Sequence, residues 1–73
     1  MNQTTFIKND DFVKIPWMNY ALRKDDVVRY FTRGLQVVIE TRVYCDIHEI
    51  IGTFSDAETA EEAFKQFWEA MCI

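Results

Sequence analysis

The sequence predicts an α+β domain: an antiparallel β-meander of three to five strands with one C-terminal amphipathic helix packed on one face. Three observations predict it. Apolar residues recur at helical spacing over 54–71, apolar and polar residues alternate over 35–42, and short β-prone runs separated by turn signals come before the helix. With 73 residues the chain is expected to form one domain, 1–73.

The helix is predicted to begin at a capping box formed by Ser55 and Glu58. Steps of three and four residues then trace one apolar stripe, which comprises Ala60, Ala63, Phe64, Phe67, Trp68 and Met71. Small residues come first in this stripe and large aromatic residues come last. We therefore expect the helix to approach the sheet closely at its start and to bury two aromatic rings, those of Phe67 and Trp68, near its end.

The clearest strand is 35–42. Its alternation predicts one face of Leu35, Val37, Ile39 and Thr41 toward the core, and another of Gln36, Val38, Glu40 and Arg42 toward solvent, with His48 as a further candidate for the solvent face. A strand over 27–32 precedes it through a tight turn at Gly34, and a strand over 47–54 follows. Gly52 is expected to mark a bulge or the point where the helix passes close.

The N-terminal half is less regular. The β-prone runs 4–8 and 12–15 flank an Asn-Asp-Asp turn signal, so they are expected to pair as a hairpin. Residues 17–26 fit either a loop with a single helical turn or the start of a helix that runs from Asn19 to Phe31. We favour the first interpretation because the pairs Val27-Val28 and Tyr30-Phe31 are β-branched and aromatic.

Charge and composition limit the classes of protein to which the chain can belong. The net charge is −4, and it is uneven: 1–42 hold seven Lys/Arg and five Asp/Glu, whereas 43–73 hold one Lys and seven Asp/Glu. No apolar run reaches the length of a membrane span, and no secretory signal is recognisable. The two cysteines are too few for a disulfide framework. These features predict a cytoplasmic protein without a membrane segment.

Enzymatic chemistry is not expected. The pair Cys45 and His48, with Cys72 far away in sequence, falls short of the four ligands of a structural zinc site. The chain has one histidine and no recognisable nucleophile motif, and its two glycines exclude a glycine-rich phosphate loop. We therefore predict no catalytic residue, no cofactor and no metal.

Two surfaces are predicted to bind a partner protein. The first is the acidic helix face, which carries Glu58, Glu61, Glu62 and Glu69 and would dock on a basic surface. The second is an aromatic patch around Trp17 and Tyr20, because aromatic residues are enriched in interface cores. Each surface has a simpler interpretation. An acidic helix face is usually solvated without binding a partner. The aromatic residues would, on this interpretation, extend the core under the loop 17–26.

Two alternatives remain open. The first is a structural homodimer that pairs edge strands or aromatic patches. The second is a weak binder of single-stranded nucleic acid that uses the exposed sheet face, since basic residues lie near Tyr20, Tyr30 and Phe31. The basic residues concerned are Arg23, Lys24, Arg29, Arg33 and Arg42. Interspersed acidic residues make nucleic acid an unlikely partner.

In architecture the chain resembles small proteins encoded by phages and mobile elements, including several anti-CRISPR and other anti-defence proteins. The shared features are a short meander, a capped amphipathic helix over 54–71, and an acidic, self-contained chain. The resemblance covers the whole chain and depends on no single motif. It implies a protein that inhibits a host protein by occupying its surface.

Overall fold

The computed structural model describes residues 11–19 and 21–72. These residues form five antiparallel strands and one α-helix: β1 (Phe12–Lys14), β2 (Ala21–Arg23), β3 (Val27–Arg33), β4 (Gln36–Val43), β5 (Asp46–Thr53) and α1 (Ala57–Met71). The strands form a two-stranded sheet, β1-β2, and a three-stranded sheet in the order β3-β4-β5. Helix α1 packs on the larger sheet, which confirms the predicted α+β class.

Strand β4 is the centre of the larger sheet, and its predicted alternation is largely confirmed. Val37, Ile39 and Thr41 are buried on the face toward the helix, and the Thr41 hydroxyl donates to the backbone oxygen of Asp26 at 3.1 Å. Leu35 was predicted to join them but is 42% exposed. Gly34 adopts a positive φ of 63° and forms the β3–β4 turn with Leu35, so β4 begins only at Gln36.

The outer face of the sheet differs from the prediction at two positions, Val38 and His48. Val38 points away from the helix as expected, yet it is completely buried. Its cross-strand neighbours are Phe31 on β3 and Ile51 on β5, so two large side chains flank it on the same face. A short apolar row therefore crosses an otherwise polar surface. His48 was a candidate for this face, but it is paired with Thr41 in the row that continues the helix-facing side.

Helix α1 begins one residue later than a Ser55 cap requires, so the predicted capping box is wrong. Asp56 is the N-cap residue: its backbone is extended, and its carboxylate accepts from the backbone N–H of Thr59 at 2.7 Å. The Ser55 hydroxyl instead donates to the Asp56 carboxylate at 3.4 Å. The helix ends at Met71, where the apolar stripe was predicted to end.

The core has two parts along the helix. Ala60 and Ala63 pack on Val37, which confirms the predicted close approach at the helix start. Further along, Phe67 is completely buried among Val13, Ile15 and Ile39. Trp68 was expected to be buried with it but is 51% exposed. Successive helical residues are rotated by about 100°, so burying Phe67 turns Trp68 toward the flank.

The smaller sheet was not predicted in this form. Strand β1 pairs with β2, with Val13 opposite Leu22, whereas the sequence suggested pairing with 4–8. The run 4–8 and Asn9-Asp10 of the predicted turn lie outside the described residues. The expected helical turn within 17–26 occurs as a 3₁₀ turn at Lys24–Asp26, and a helix from Asn19 to Phe31 does not form because β2 and β3 occupy most of that range.

A candidate protein-binding groove

The two predicted binding features meet along one flank of α1. A groove of about 440 Å³ separates the Pro16–Trp17 corner from the helix. Its lining comprises Pro16, Trp17, Phe54, Glu58, Thr59, Glu62, Ala63 and Gln66. Trp17 therefore lies on the same groove as two of the four predicted acidic residues. Tyr20, the other aromatic residue of the prediction, lies outside the described residues.

The indole of Trp17 lies directly on the backbone of β5. Ile15 is buried and anchors the chain before the corner, and the backbone N–H of Met18 donates to the Ile15 oxygen at 3.1 Å across it. A Cβ placed on Gly52 would lie 2.6 Å from Cε2 of the indole. The position of the Trp17 indole therefore requires a residue without a Cβ at position 52. The predictions of a bulge or a passing helix are wrong, because Gly52 pairs regularly with Val37 and its close neighbour is Trp17.

Trp17 is held on several sides. Its ring meets that of Phe54 edge to face, with centroids 5.7 Å apart, and it packs against both parts of the core. Its Nε1 atom is buried and has no acceptor among the described residues. These contacts make the indole a fixed aromatic wall of the groove and not a freely exposed patch.

The helix supplies the opposite wall through residues one turn apart. Glu58, Glu62 and Gln66 follow each other at steps of four, so they form a row along the groove. The Gln66 amide donates to the Glu62 carboxylate at 3.3 Å. Glu61 and Glu69 do not line the groove. The structure thus divides the predicted acidic face into two residues beside Trp17 and two elsewhere.

The groove is electrostatically unbalanced. Glu58 and Glu62 lie four residues apart on the helix and repel each other. Neither carboxylate is in a salt bridge within the part of the chain that the structure describes. Asp56 adds a further negative charge at the helix start, because the hydrogen bond from the Thr59 backbone N–H lowers the pKa of its carboxyl. A cation placed over the groove would therefore find acidic groups that no ion pair among residues 11–19 and 21–72 neutralises.

Of the residues considered for nucleic-acid binding, Arg29 and Arg33 share the outer sheet face with Phe31. Arg29 donates to both carboxylate oxygens of Glu40, at 2.8 and 3.1 Å, and lies 5.0 Å from the Phe31 ring centroid. The hydrogen bond lowers the pKa of Glu40 and raises that of Arg29. Tyr30 faces the opposite side of the sheet and packs on Phe67 at 5.1 Å. Tyr30 is therefore not on the same sheet face as Arg29 and Phe31.

The residues considered for a metal are also apart. Cys45 is exposed in the β4–β5 turn, and Cys72 is exposed immediately after the helix. Over residues 11–19 and 21–72, no three His, Cys, Asp or Glu side chains come together as metal ligands. No described helix has both the length and the apolar character that a membrane crossing needs.

Sequence reasoning missed two residues of this surface and the backbone conformation of one turn outside it. Phe54 and Gln66 line the groove. Gln66 could have been predicted, because it follows Glu58 and Glu62 at steps of four on the same side of the helix. Tyr44 is 95% exposed at the β4–β5 turn, with a positive φ of 56°. No glycine marks this turn in the sequence, so its backbone conformation carried no local signal.

Comparison with known proteins assigns no family to the chain. No protein-family model, no curated protein and no solved structure matches it. A functional proposal therefore depends on the groove: a fixed indole wall, an acidic helix row and the charge imbalance between them.

Proposed function

We propose that this chain is a non-enzymatic, cytoplasmic protein-binding module that binds a basic segment of a partner protein in the groove between Trp17 and α1. The observation that carries the proposal is the convergence of Trp17 with Glu58 and Glu62 on one groove. An aromatic wall or an acidic helix row alone would be an ordinary surface feature. Together they offer both parts of a site for a long cationic side chain.

The groove is suited to arginine or lysine. Both side chains combine an apolar stem with a charged head, so the stem can lie on Trp17 and Phe54 while the head reaches the carboxylates. Arginine has the further advantage that its planar guanidinium stacks on aromatic rings and binds carboxylates through two hydrogen bonds. A partner that projects an arginine from a basic surface is therefore the best fit.

The size of the groove sets the mode of binding. About 440 Å³ is within the range of small-ligand sites and accommodates one or two side chains, not a folded surface. We expect the inserted side chain to be an anchor, surrounded by weaker contacts with the rest of the helix face. Because Trp17 is held by Gly52 and Phe54, little conformational entropy is lost when the anchor binds.

Occupying a basic surface is a means of inhibition. Basic surfaces of proteins commonly bind nucleic acids or other polyanions, and an acidic protein placed on them excludes those ligands. This agrees with what the resemblance to phage anti-defence proteins implies. We accordingly propose that the chain inhibits a host protein by covering such a surface.

The proposal is tested with two double variants, each of which neutralises two carboxylates. Glu58→Gln/Glu62→Gln removes the two groove carboxylates, and Glu61→Gln/Glu69→Gln removes two carboxylates of the same helix outside the groove. Both change the net charge equally and keep the side-chain size. A displayed library of random peptides is selected against the wild type, and the affinities of the selected peptides are then measured for all three proteins by calorimetry.

We expect the selected peptides to contain arginine or lysine next to an apolar residue. Their affinity should fall by roughly tenfold or more for Glu58→Gln/Glu62→Gln, since buried charge-assisted contacts are worth a few kcal/mol. It should fall much less for Glu61→Gln/Glu69→Gln. Equal losses in both variants would reduce the effect to net charge, and selection of peptides without basic residues would contradict the proposal.

A further inference from the structure

The opposite flank of α1 carries a second aromatic surface, which the proposed groove does not use. Trp68 is 51% exposed and contacts Tyr30 and Phe64, each with ring centroids 5.7 Å away. Tyr30 belongs to β3, so the half-exposed indole lies beside that strand. An aromatic ring that is packed on one side and open on the other is typical of interface cores.

Strand β3 is an edge of the sheet in the part of the chain that the structure describes. Its only partner there is β4, and after a register shift between Val27 and Arg29 it runs regularly from Arg29 to Arg33 without glycine or proline. The outer edge of such a strand presents backbone donors and acceptors to another strand. Trp68 and the β3 edge therefore combine an aromatic anchor with a template for strand pairing.

We propose that β3 pairs antiparallel with β3 of a second copy of this chain, centred on Tyr30, and that Trp68 of each copy covers the junction. This places a second copy on the β3 edge, on the flank of α1 away from the groove. The proposal is independent of the proposed function, since it uses none of the groove residues.

The positive charges on β3 restrict how two copies of the strand can align. Directly opposed residues of an antiparallel pair point to the same face. In a symmetric pair of two β3 strands, the two-fold axis therefore passes between one residue and the same residue of the copy. Centring on residue 29 opposes Arg29 with Arg29 of the copy, and centring on residue 31 opposes Arg29 with Arg33. Centring on Tyr30 opposes Arg29 with Phe31 instead, and no two cations face each other across the junction.

This register repeats a contact that already exists within the chain. The guanidinium of Arg29 lies 5.0 Å from the centroid of its own Phe31 ring, and its charge is paired with Glu40. In the dimer it would also face Phe31 of the copy, which suits a cation above an aromatic ring. On the other face, Tyr30 would meet Tyr30 with one Trp68 on each side, since Trp68 already contacts Tyr30. The strand is thus complementary to itself in the register centred on Tyr30.

The test is sedimentation equilibrium over a range of protein concentrations. It compares the wild type, Trp68→Lys, and Ile47→Lys as the matched control. Ile47 lies on β5 and is 50% exposed, so the control introduces the same charge at a residue of the same exposure. Val28→Lys, on β3 itself, is a second variant in case Trp68→Lys unfolds, and circular dichroism confirms folding of each protein.

We expect a monomer–dimer equilibrium for the wild type that added salt does not weaken. Trp68→Lys and Val28→Lys should raise the dimer dissociation constant at least tenfold, and Ile47→Lys should leave it unchanged. A wild type that stays monomeric up to its solubility limit would overturn the proposal. Equal weakening by Ile47→Lys would overturn it too, because the interface would then not involve the β3 edge.

The register is tested in a sample that mixes isotope-labelled and unlabelled protein. Filtered nuclear Overhauser spectra detect only contacts between copies, and we expect them between residue 29 of one copy and residue 31 of the other. Contacts between residues 29 and 33 would contradict the register centred on Tyr30. Dimerisation of Glu58→Gln/Glu62→Gln should match that of the wild type, which separates this proposal from the groove.

Discussion

The two tryptophans flank the same helix but have different surroundings. Trp17 comes from a loop corner, lies on Gly52, and packs against both parts of the core. Trp68 comes from the helix itself and leaves half of its surface exposed. The two residues are of the same type, so residue type did not decide how deeply each indole is buried. A glycine opposite Trp17 created space for that indole, whereas complete burial of Phe67 turned its neighbour Trp68 outward.

The largest expected effect contrasts the two residues directly. Trp17→Ala should lower the free energy of unfolding by about 3 kcal/mol, because it empties a site between the two parts of the core. Trp68→Ala should lower it by only about 1 kcal/mol, since half of the ring is already in water. Urea denaturation at low protein concentration measures both. Equal losses would show that Trp68 contributes to the core as much as Trp17 does.

The second prediction tests why Trp17 is held. Gly52→Ala should lower the free energy of unfolding by about 1–3 kcal/mol, because the added Cβ would lie 2.6 Å from the indole and force it to move. The same substitution in the Trp17→Ala background should cost much less, since the clash is gone. Denaturation of the two single variants and the double variant gives the coupling. Additive losses would mean that Gly52 serves the strand and not Trp17.

The third prediction concerns the helix start, which positions Glu58 beside Trp17. Asp56→Ala should destabilise the fold because Thr59 loses the acceptor of its backbone N–H, whereas Asp56→Asn should retain an acceptor without the charge. The folded state lowers the pKa of Asp56, so its ionised form stabilises the protein above the unfolded value of about 4. That contribution is lost as the pH falls through the folded pKa.

Thermal unfolding at neutral pH and at about pH 2 measures this dependence. The wild type should unfold at a higher temperature than Asp56→Asn at neutral pH, and the gap should close in acid. A gap that is unchanged or wider in acid would contradict the assignment of Asp56 as a charged cap. Ser55→Ala is the control, and it should have the smaller effect, since Ser55 donates only to Asp56 at 3.4 Å.

The smallest expected effect concerns a third aromatic residue. Tyr44 is almost fully exposed and has a positive φ, which side chains with a Cβ disfavour. Tyr44→Gly should therefore change the free energy of unfolding by less than about 1 kcal/mol, in the stabilising direction. Chemical denaturation resolves the sign. A clear loss of stability would show that Tyr44 has a packing role, and exposure would then be a poor guide to which aromatic residues matter.

The parts of the fold that could be predicted are those with a repeating pattern. The stripe from Ala60 to Phe67 and the alternation of Val37, Ile39 and Thr41 extend over enough residues to define a face. Strands β1 and β2 have three residues each, too few for any periodicity, and their pairing is set by tertiary packing. Local pattern likewise could not place Val38, whose burial depends on neighbours in two other strands.

The candidate site was predicted as two separate surfaces because its walls are far apart in sequence. Trp17 and Glu62 are brought together by the fold, and no local spacing relates them. The acidic residues were predicted as one set, and the helix phase divides Glu58 and Glu62 from Glu61 and Glu69. Gly52 illustrates the same limit: its close contact was anticipated, whereas the partner proved to be an indole from another part of the chain.

The most direct test of the account uses the indole N–H signals of the two tryptophans. Nitrogen-15-labelled protein is titrated with an arginine-containing peptide from the selection, and the two signals are assigned with Trp17→Phe and Trp68→Phe. We expect the Trp17 signal to shift with peptide concentration and to saturate, while the Trp68 signal stays in place. A shift of the Trp68 signal with Trp17 unchanged would contradict it, because the basic segment would then bind on the other flank of the helix.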